Sequence, residues 1–271
     1  MSRRWREIDA TDPGALRHAM PDRGPATAYI ALPPLLHEAA VVAALSVERL
    51  QTVYLEKGLP RASTIRSLYG AAAEAGVDLW PVDHYALYPA TAAAREWWRS
   101  SGGERRVRMQ LLEGRAIPAE RAEAIPFGVG PDLLIHLLTA ARVAFGDLRS
   151  FRLQASPTVL REEVAPVSGA TYLRLTLANA QTGDAIELET GFYARRTVKR
   201  ISAEAPQAFE ASFLGEDPYR EIMRRVVSRR PIFGRSRAVH VAVLRVLERI
   251  LMSFDGNGGP GFPARAHERV S

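Results

Sequence analysis

Between residues 26 and 82 the chain alternates short apolar runs with longer stretches of helical spacing. The run ATAYIAL, Ala26 to Leu32, reads as a buried strand closed by Pro33 and Pro34, and Leu35 to Val47 spaces its apolar residues as a helix does. Thr52 to Leu55 predicts a second strand, Thr64 to Ala75 a second helix stopped by Gly76, and Val77 to Val82 a third strand. This βαβαβ alternation predicts a parallel sheet. Ligands of such sheets gather at the carboxyl ends of the strands.

Beyond Tyr88 the pattern changes. A helix is expected around Ala92 to Trp98, a strand at Val107 to Leu112 and a helix from Pro131 to Phe145. From Phe151 to Arg196 apolar and polar residues alternate, and Gln181 to Asp184 makes a turn between TYLRLTLAN and AIELETGFYAR, which predicts antiparallel pairing. Helices over Pro218 to Val227 and Ser236 to Ser253 precede a tail rich in Gly and Pro, 256–271, for which disorder is expected.

Composition narrows the function. The chain has 271 residues, enough for one large domain or two smaller ones, and 47% apolar residues, enough for a sizeable core. The longest apolar stretches, Leu133 to Phe145 and Val241 to Leu251, are too short and too interrupted by Arg and His to span a bilayer, so no membrane partner is expected. Met1 to Glu7 is charged, no secretory leader is visible there, and a cytoplasmic location is the expectation. With no cysteine, thiolate chemistry and disulfides are excluded.

The formal charge of +6 comes from 36 basic residues scattered among 30 acids, which argues against a nucleic-acid partner. The densest runs, Arg195, Arg196, Lys199 and Arg200, and Arg224 to Arg237, read as solvated faces, with an anionic ligand as the alternative. Only Lys57 and Lys199 are lysines. In so arginine-rich a chain each draws attention, because Arg neither gives up its proton nor acts as a compact ammonium.

Four segments occur in order: YIALPP at Tyr29 to Pro34, LEKGLP at Leu55 to Pro60, VDHY at Val82 to Tyr85 and PDLLIHLL at Pro131 to Leu138. Together they resemble the substrate-handling part of glucose-6-phosphate dehydrogenases and of the related Gfo/Idh/MocA sugar oxidoreductases. DPYREIMRRV and IFGRSRAV resemble a weakened copy of the late helical region of the former. The resemblance implies a truncated Rossmann-like parallel sheet over residues 1–88. A substrate domain would follow over 89–255, with a mixed or antiparallel sheet covered by helices. It further implies NADP or NAD as cofactor, held by Pro33, Pro34, Glu56 and Lys57, and a small-molecule substrate contacted by His84, Tyr85 and Tyr88. A homo-oligomer formed through the C-terminal sheet is expected.

Oxidising a carbinol needs a base for the hydroxyl proton, and His136 suits that role. Asp132 precedes it by one helical turn and would fix the imidazole tautomer, while Lys57 at a strand end would hold the substrate oxygen. Each has a plainer reading: a core histidine in LLIHLLTA, an aspartate favouring the first turn of a helix, a solvated lysine. His84 and Tyr85 are equally readable as a strand-end pair that packs locally.

Three departures limit the resemblance. Tyr88 stands where the dehydrogenases carry a phosphate-binding lysine, and Gly58 replaces the proline after Lys57. The glycine-rich strand–turn–helix that cradles a pyrophosphate is not found. The G-x-G-x-x-G at Gly256 to Gly261 lacks both flanking elements and is a chance match, and Gly128 and Gly130 serve a turn or an anion. No metal is expected, because His84 and His136 belong to separate elements. The functions left open are a sugar oxidoreductase, a cofactor-independent lyase, isomerase or cyclase, and a non-catalytic subunit of a dehydrogenase.

Overall fold

The computed structural model describes residues 11–19, 25–32, 36–57, 61–114, 130–155, 158–160, 170–192, 194–215, 217–232 and 236–253. After helix α1 (Pro13–Ala19) come β1 (Ala26–Ile30), α2 (His37–Leu45), β2 (Leu50–Glu56), α3 (Ala62–Glu74) and β3 (Asp78–Val82). The strands lie in the order β1-β2-β3, all parallel. Val53, Tyr54 and Leu55 of the central strand are wholly buried, so the strand is covered on both faces and reads as a continuous apolar run. Gly76 takes φ +66 in the turn that ends α3, a conformation that suits glycine.

Helix α4 (Pro89–Ser100) starts earlier than the sequence pattern suggests, because Pro89 fits the first turn, where no backbone N–H is needed. Strand β4 (Arg106–Leu112) follows. A π-helical turn, Gly130–Leu134, then leads into α5 (Ile135–Phe145). The helix expected from Pro131 is therefore regular only from Ile135. Residues Ile135 to Ala141 of α5 are all buried, as expected for a helix apolar on every side.

The second sheet holds β5 (Arg152–Leu153), β6 (Thr158–Leu160), β7 (Tyr172–Ala178), β8 (Ala185–Gly191), β9 (Val198–Ala205) and β10 (Phe209–Ser212) together with β4. Its order is β10-β9-β4-β8-β7-β5, with β6 also on β7. β4 and β8 run parallel and the other neighbours antiparallel, so the sheet is mixed. The turn expected at Gln181 to Asp184 is present: Asn179 N donates to Asp184 O, and Gly183 adopts φ +74.

Helices α6 (Tyr219–Val227) and α7 (Ser236–Met252) complete the described chain. α7 packs on α3, α5 and β3. Tyr54 Oη donates to Arg230 O at 2.8 Å, and Ala62 N donates to Glu248 Oε1 at 2.7 Å, so the C-terminal helices close over the first sheet. Pro33, Pro34, Gly58, Gly128 and the tail, including Gly256 to Gly261, lie outside the described residues.

Candidate active site

The carboxyl ends of β2 and β3 supply two charged residues, and the segment Gly130–Phe145 supplies their partners. Lys57 follows the last residue of β2, and Asp83 follows the last residue of β3. Asp83 caps a 3-10 turn, His84–Ala86, by accepting from Tyr85 N at 3.0 Å, which fixes its carboxylate beside α5. There His136 Nδ1 lies 2.8 Å from Asp83 Oδ1, with both side chains buried. Lys57 Nζ donates to Asp132 Oδ1 at 2.5 Å and to Asp132 O at 2.8 Å.

This geometry corrects the pairing expected from sequence. Asp132 lies in the π-helical turn rather than one regular turn before His136, and its carboxylate goes to Lys57. The partner of His136 is Asp83, 53 residues away. Lys57, which precedes Gly58 where the resemblance expects a proline, is pinned by two hydrogen bonds. An ammonium has three donors, and among the described residues one of them is left over.

Burial dominates the electrostatics. It pushes Asp83 up to about 6, only partly offset by its neighbours, and Asp83 Oδ2 has no partner among the described residues. Burial first, and the charge of Lys57 second, hold His136 well below the usual histidine range, with Lys199 adding in the same sense. Lys199, on β9, pairs with Glu113 at 2.6 Å. Both lysines of the chain thus act on the same imidazole. At neutral pH the pair is a carboxylate beside a neutral ring. Nδ1–H points at Asp83, and Nε2 is left as the basic atom.

An aromatic wall flanks the pair. His84 lies 4.7 Å from His136 between ring centroids and stacks on Tyr219 at 5.4 Å, while Tyr85 packs on His136 at 4.6 Å and on Phe213 at 4.9 Å. Tyr88 leans on Tyr85 and Phe213. Tyr85 is buried and forms the wall itself, which favours its packing role. Burial, then His136, lowers His84 to about 3, so it is neutral and brings no charge to a phosphate. Glu56 is engaged by Tyr29, whose Oη donates to Oε1 at 2.6 Å.

By sequence, no protein-family model and no curated protein matches the chain. Solved structures do match. The WlbA dehydrogenase from Thermus thermophilus, in complex with NAD and alpha-ketoglutarate, superposes with a TM-score of 0.64 at 19% identity, covering 87% of this chain and 74% of that one. GenD2 from gentamicin A biosynthesis, in complex with NAD, gives 0.67 at 17% identity, covering 86% and 76%. The aldose-aldose oxidoreductase from Caulobacter crescentus, complexed with glycerol, gives 0.64 at 15%, covering 85% and 77%. What the chain shares with these proteins is a two-domain fold, a parallel Rossmann-like sheet followed by a mixed sheet covered by helices.

In that two-domain fold the candidate site lies where the parallel strands end and the second domain begins. A dinucleotide cradle needs glycines at a strand-to-helix turn, where backbone N–H groups approach the pyrophosphate. Among the described residues the β1-to-α2 turn offers Ala31, Leu32 and Leu36, and Leu36 makes no side-chain cap. His37, fully buried, closes this turn through Nε2 to Leu32 O at 2.6 Å. Among its described residues this turn carries no glycine at which the backbone could approach a pyrophosphate.

Asp83, His84 and His136 bring ligand-capable atoms within 4.8 Å of one another, so the separate elements named in the sequence analysis do converge. The Asp83–His136 hydrogen bond already uses one atom of each. Sequence reasoning missed Asp83, Tyr219 and His37. The strand-end rule that selected Lys57 applies equally to Asp83, the first residue after β3. Nothing local marks Tyr219 or His37.

Proposed function

We propose that this chain acts on a hydroxyl or carbonyl carbon of a sugar or sugar-like small molecule, in oxidoreduction linked to NAD or NADP. The observation that carries the reading is the pairing of Asp83 with His136 beside Lys57, at the carboxyl ends of two parallel strands. His136 Nε2 takes the hydroxyl proton. Asp83 holds the ring in the tautomer that leaves Nε2 free and steadies the imidazolium that forms. Lys57 donates its remaining N–H to the same substrate oxygen and stabilises negative charge growing there. Asp132 aims that ammonium.

The NAD named with GenD2 and WlbA supports the cofactor, which would supply the hydride exchange. Phosphate is left out of the proposed substrate, because Tyr88 and neutral His84 bring no charge to it. Calorimetric titration with NAD and with NADP tests the reading. Saturable binding is the expected result, together with sugar-dependent NADH or NADPH formation that is lost in His136→Ala. Failure of both nucleotides at millimolar concentration would sink the redox reading. In that event the glycine-free turn after β1 favours proton transfer without a cofactor, as in a lyase or isomerase. The measurement is then solvent deuterium exchange into a keto sugar, dependent on His136.

A further inference from the structure

A cavity of about 730 Å³ lies among α3, α5, α7 and the 147–149 loop, and none of its lining residues belongs to the candidate active site. One face of α7 forms its floor: Ala238, Val241, Ala242, Arg245, Val246 and Arg249 recur at three- and four-residue intervals. The two alanines, one turn apart, leave the space. Tyr69 of α3 adds an aromatic side. Around this apolar floor stand six arginines, Arg66, Arg142, Arg149, Arg237, Arg245 and Arg249, and one lining carboxylate, Asp147.

The arginines are poorly matched by acids. Asp147 pairs with Arg149 at 2.5 Å, and Arg237 pairs with Asp78 at 2.9 Å and lies over the Trp80 ring. Among the described residues no carboxylate lies within ion-pair distance of the other four: Arg66 and Arg249 donate only to the backbone carbonyls of Ala62 and Phe151, and the buried Arg142 Nε finds no partner there. Burial, reinforced by Arg152, holds Arg249 below the usual arginine range. Like charges gathered over an apolar floor destabilise a fold unless an anion answers them.

We propose that this cavity is a binding site for an organic anion, a phosphate or carboxylate group joined to an apolar body. The anionic group sits against Arg142 and Arg245, and the apolar body lies on Ala238, Ala242 and Tyr69. Guanidinium pairs suit either group, since both accept two parallel hydrogen bonds.

Phenyl phosphate and benzoate, titrated by calorimetry, are the probes, with pyrophosphate as an anion that has no apolar body. Saturable binding of an aryl anion is expected, and the tighter of the two identifies the charged group. Arg142→Gln and Arg245→Gln should each weaken it about tenfold, the size of one lost charge-assisted hydrogen bond. Ala242→Phe, which fills the floor and leaves every charge in place, should weaken phenyl phosphate and spare pyrophosphate. His136→Ala should change nothing here, which separates this site from the proposed active site. The proposal is overturned if neither aryl anion saturates, if both arginine variants bind as the parent does, or if His136→Ala abolishes binding.

Discussion

The two sheets of this protein place their polar residues differently. In the parallel sheet the central strand is sealed on both faces, and charged side chains occur where strands end: Glu56 as the last residue of β2 and Lys57 just after it, Asp83 after β3. In the mixed sheet polar residues lie on one face along the strands and answer one another across them. Arg200 Nε donates to Gln110 Oε1, Gln110 Nε2 donates to Glu189 Oε2, and Tyr172 Oη donates to Glu189 Oε1, which links β9, β4, β8 and β7. A strand covered on both faces has no room for charge along its length, so chemistry collects at its ends. A sheet with one face open can use charge for cohesion.

Four measurements break or sharpen this contrast. The largest effect is expected at the strand ends. Asp83→Asn should lower kcat about a thousandfold by losing the tautomer control of His136, with the fold retained by circular dichroism. Asp132→Asn, which only loosens Lys57, should cost far less. Equal losses would mean that Asp83 has no special hold on the imidazole.

Next comes the polar face. Burial works against Glu189, yet Arg108, Tyr172 and Gln110 together hold it below the usual carboxylate range. Glu189→Ala leaves Gln110 Nε2 and Tyr172 Oη without this acceptor and Arg108 with Glu187 alone, and should cost about 3 kcal/mol in urea unfolding, without touching turnover. Turnover that falls with stability would mean that the two sheets are not separable in function.

Acid should act chiefly on buried histidines. Burial lowers His37 and His240 to about 4 from an ordinary 6.5, and His84 to about 3. The unfolded chain takes up protons that the fold refuses, so this stability is full above about pH 6.5 and is lost as pH falls toward 4. Each histidine removes about 2 kcal/mol between about pH 6.5 and 5. Asp83, raised to about 6, works in the opposite sense, since its native carboxyl takes up a proton first. Unfolding midpoints across this range should fall less steeply in His240→Gln, and an unchanged slope would remove His240 from the account. The smallest effect is expected at Tyr54→Phe, about 1 kcal/mol, for the hydroxyl that donates to Arg230 O.

The same contrast explains what the sequence could disclose. β1, β2 and β3 are legible because covered strands are continuous apolar runs, and Lys57 is legible because a strand end is a place. The polar alternation of β7 and β8 and the turn between them are legible too. The insertion of β4 between β8 and β9 is not, since pairing across some eighty residues leaves no trace in local periodicity. Asp83 escaped notice as the partner of His136 because spacing on a helix offered Asp132, and the π-helical turn that defeats that spacing has no sequence mark. The arginine face of α7 was visible only as a helix with apolar spacing, because its cavity needs α3 and α5 to complete it.

The hydroxyl of Tyr54 sets an order of events. Its acceptor lies 176 residues further along the chain, and Glu248, which caps α3, lies 186 residues beyond Ala62. During synthesis the βαβαβ segment leaves the ribosome long before α6 and α7 exist. It must wait with part of β2 and the first turn of α3 unanswered. Helices made late are the ones that finish a sheet made early.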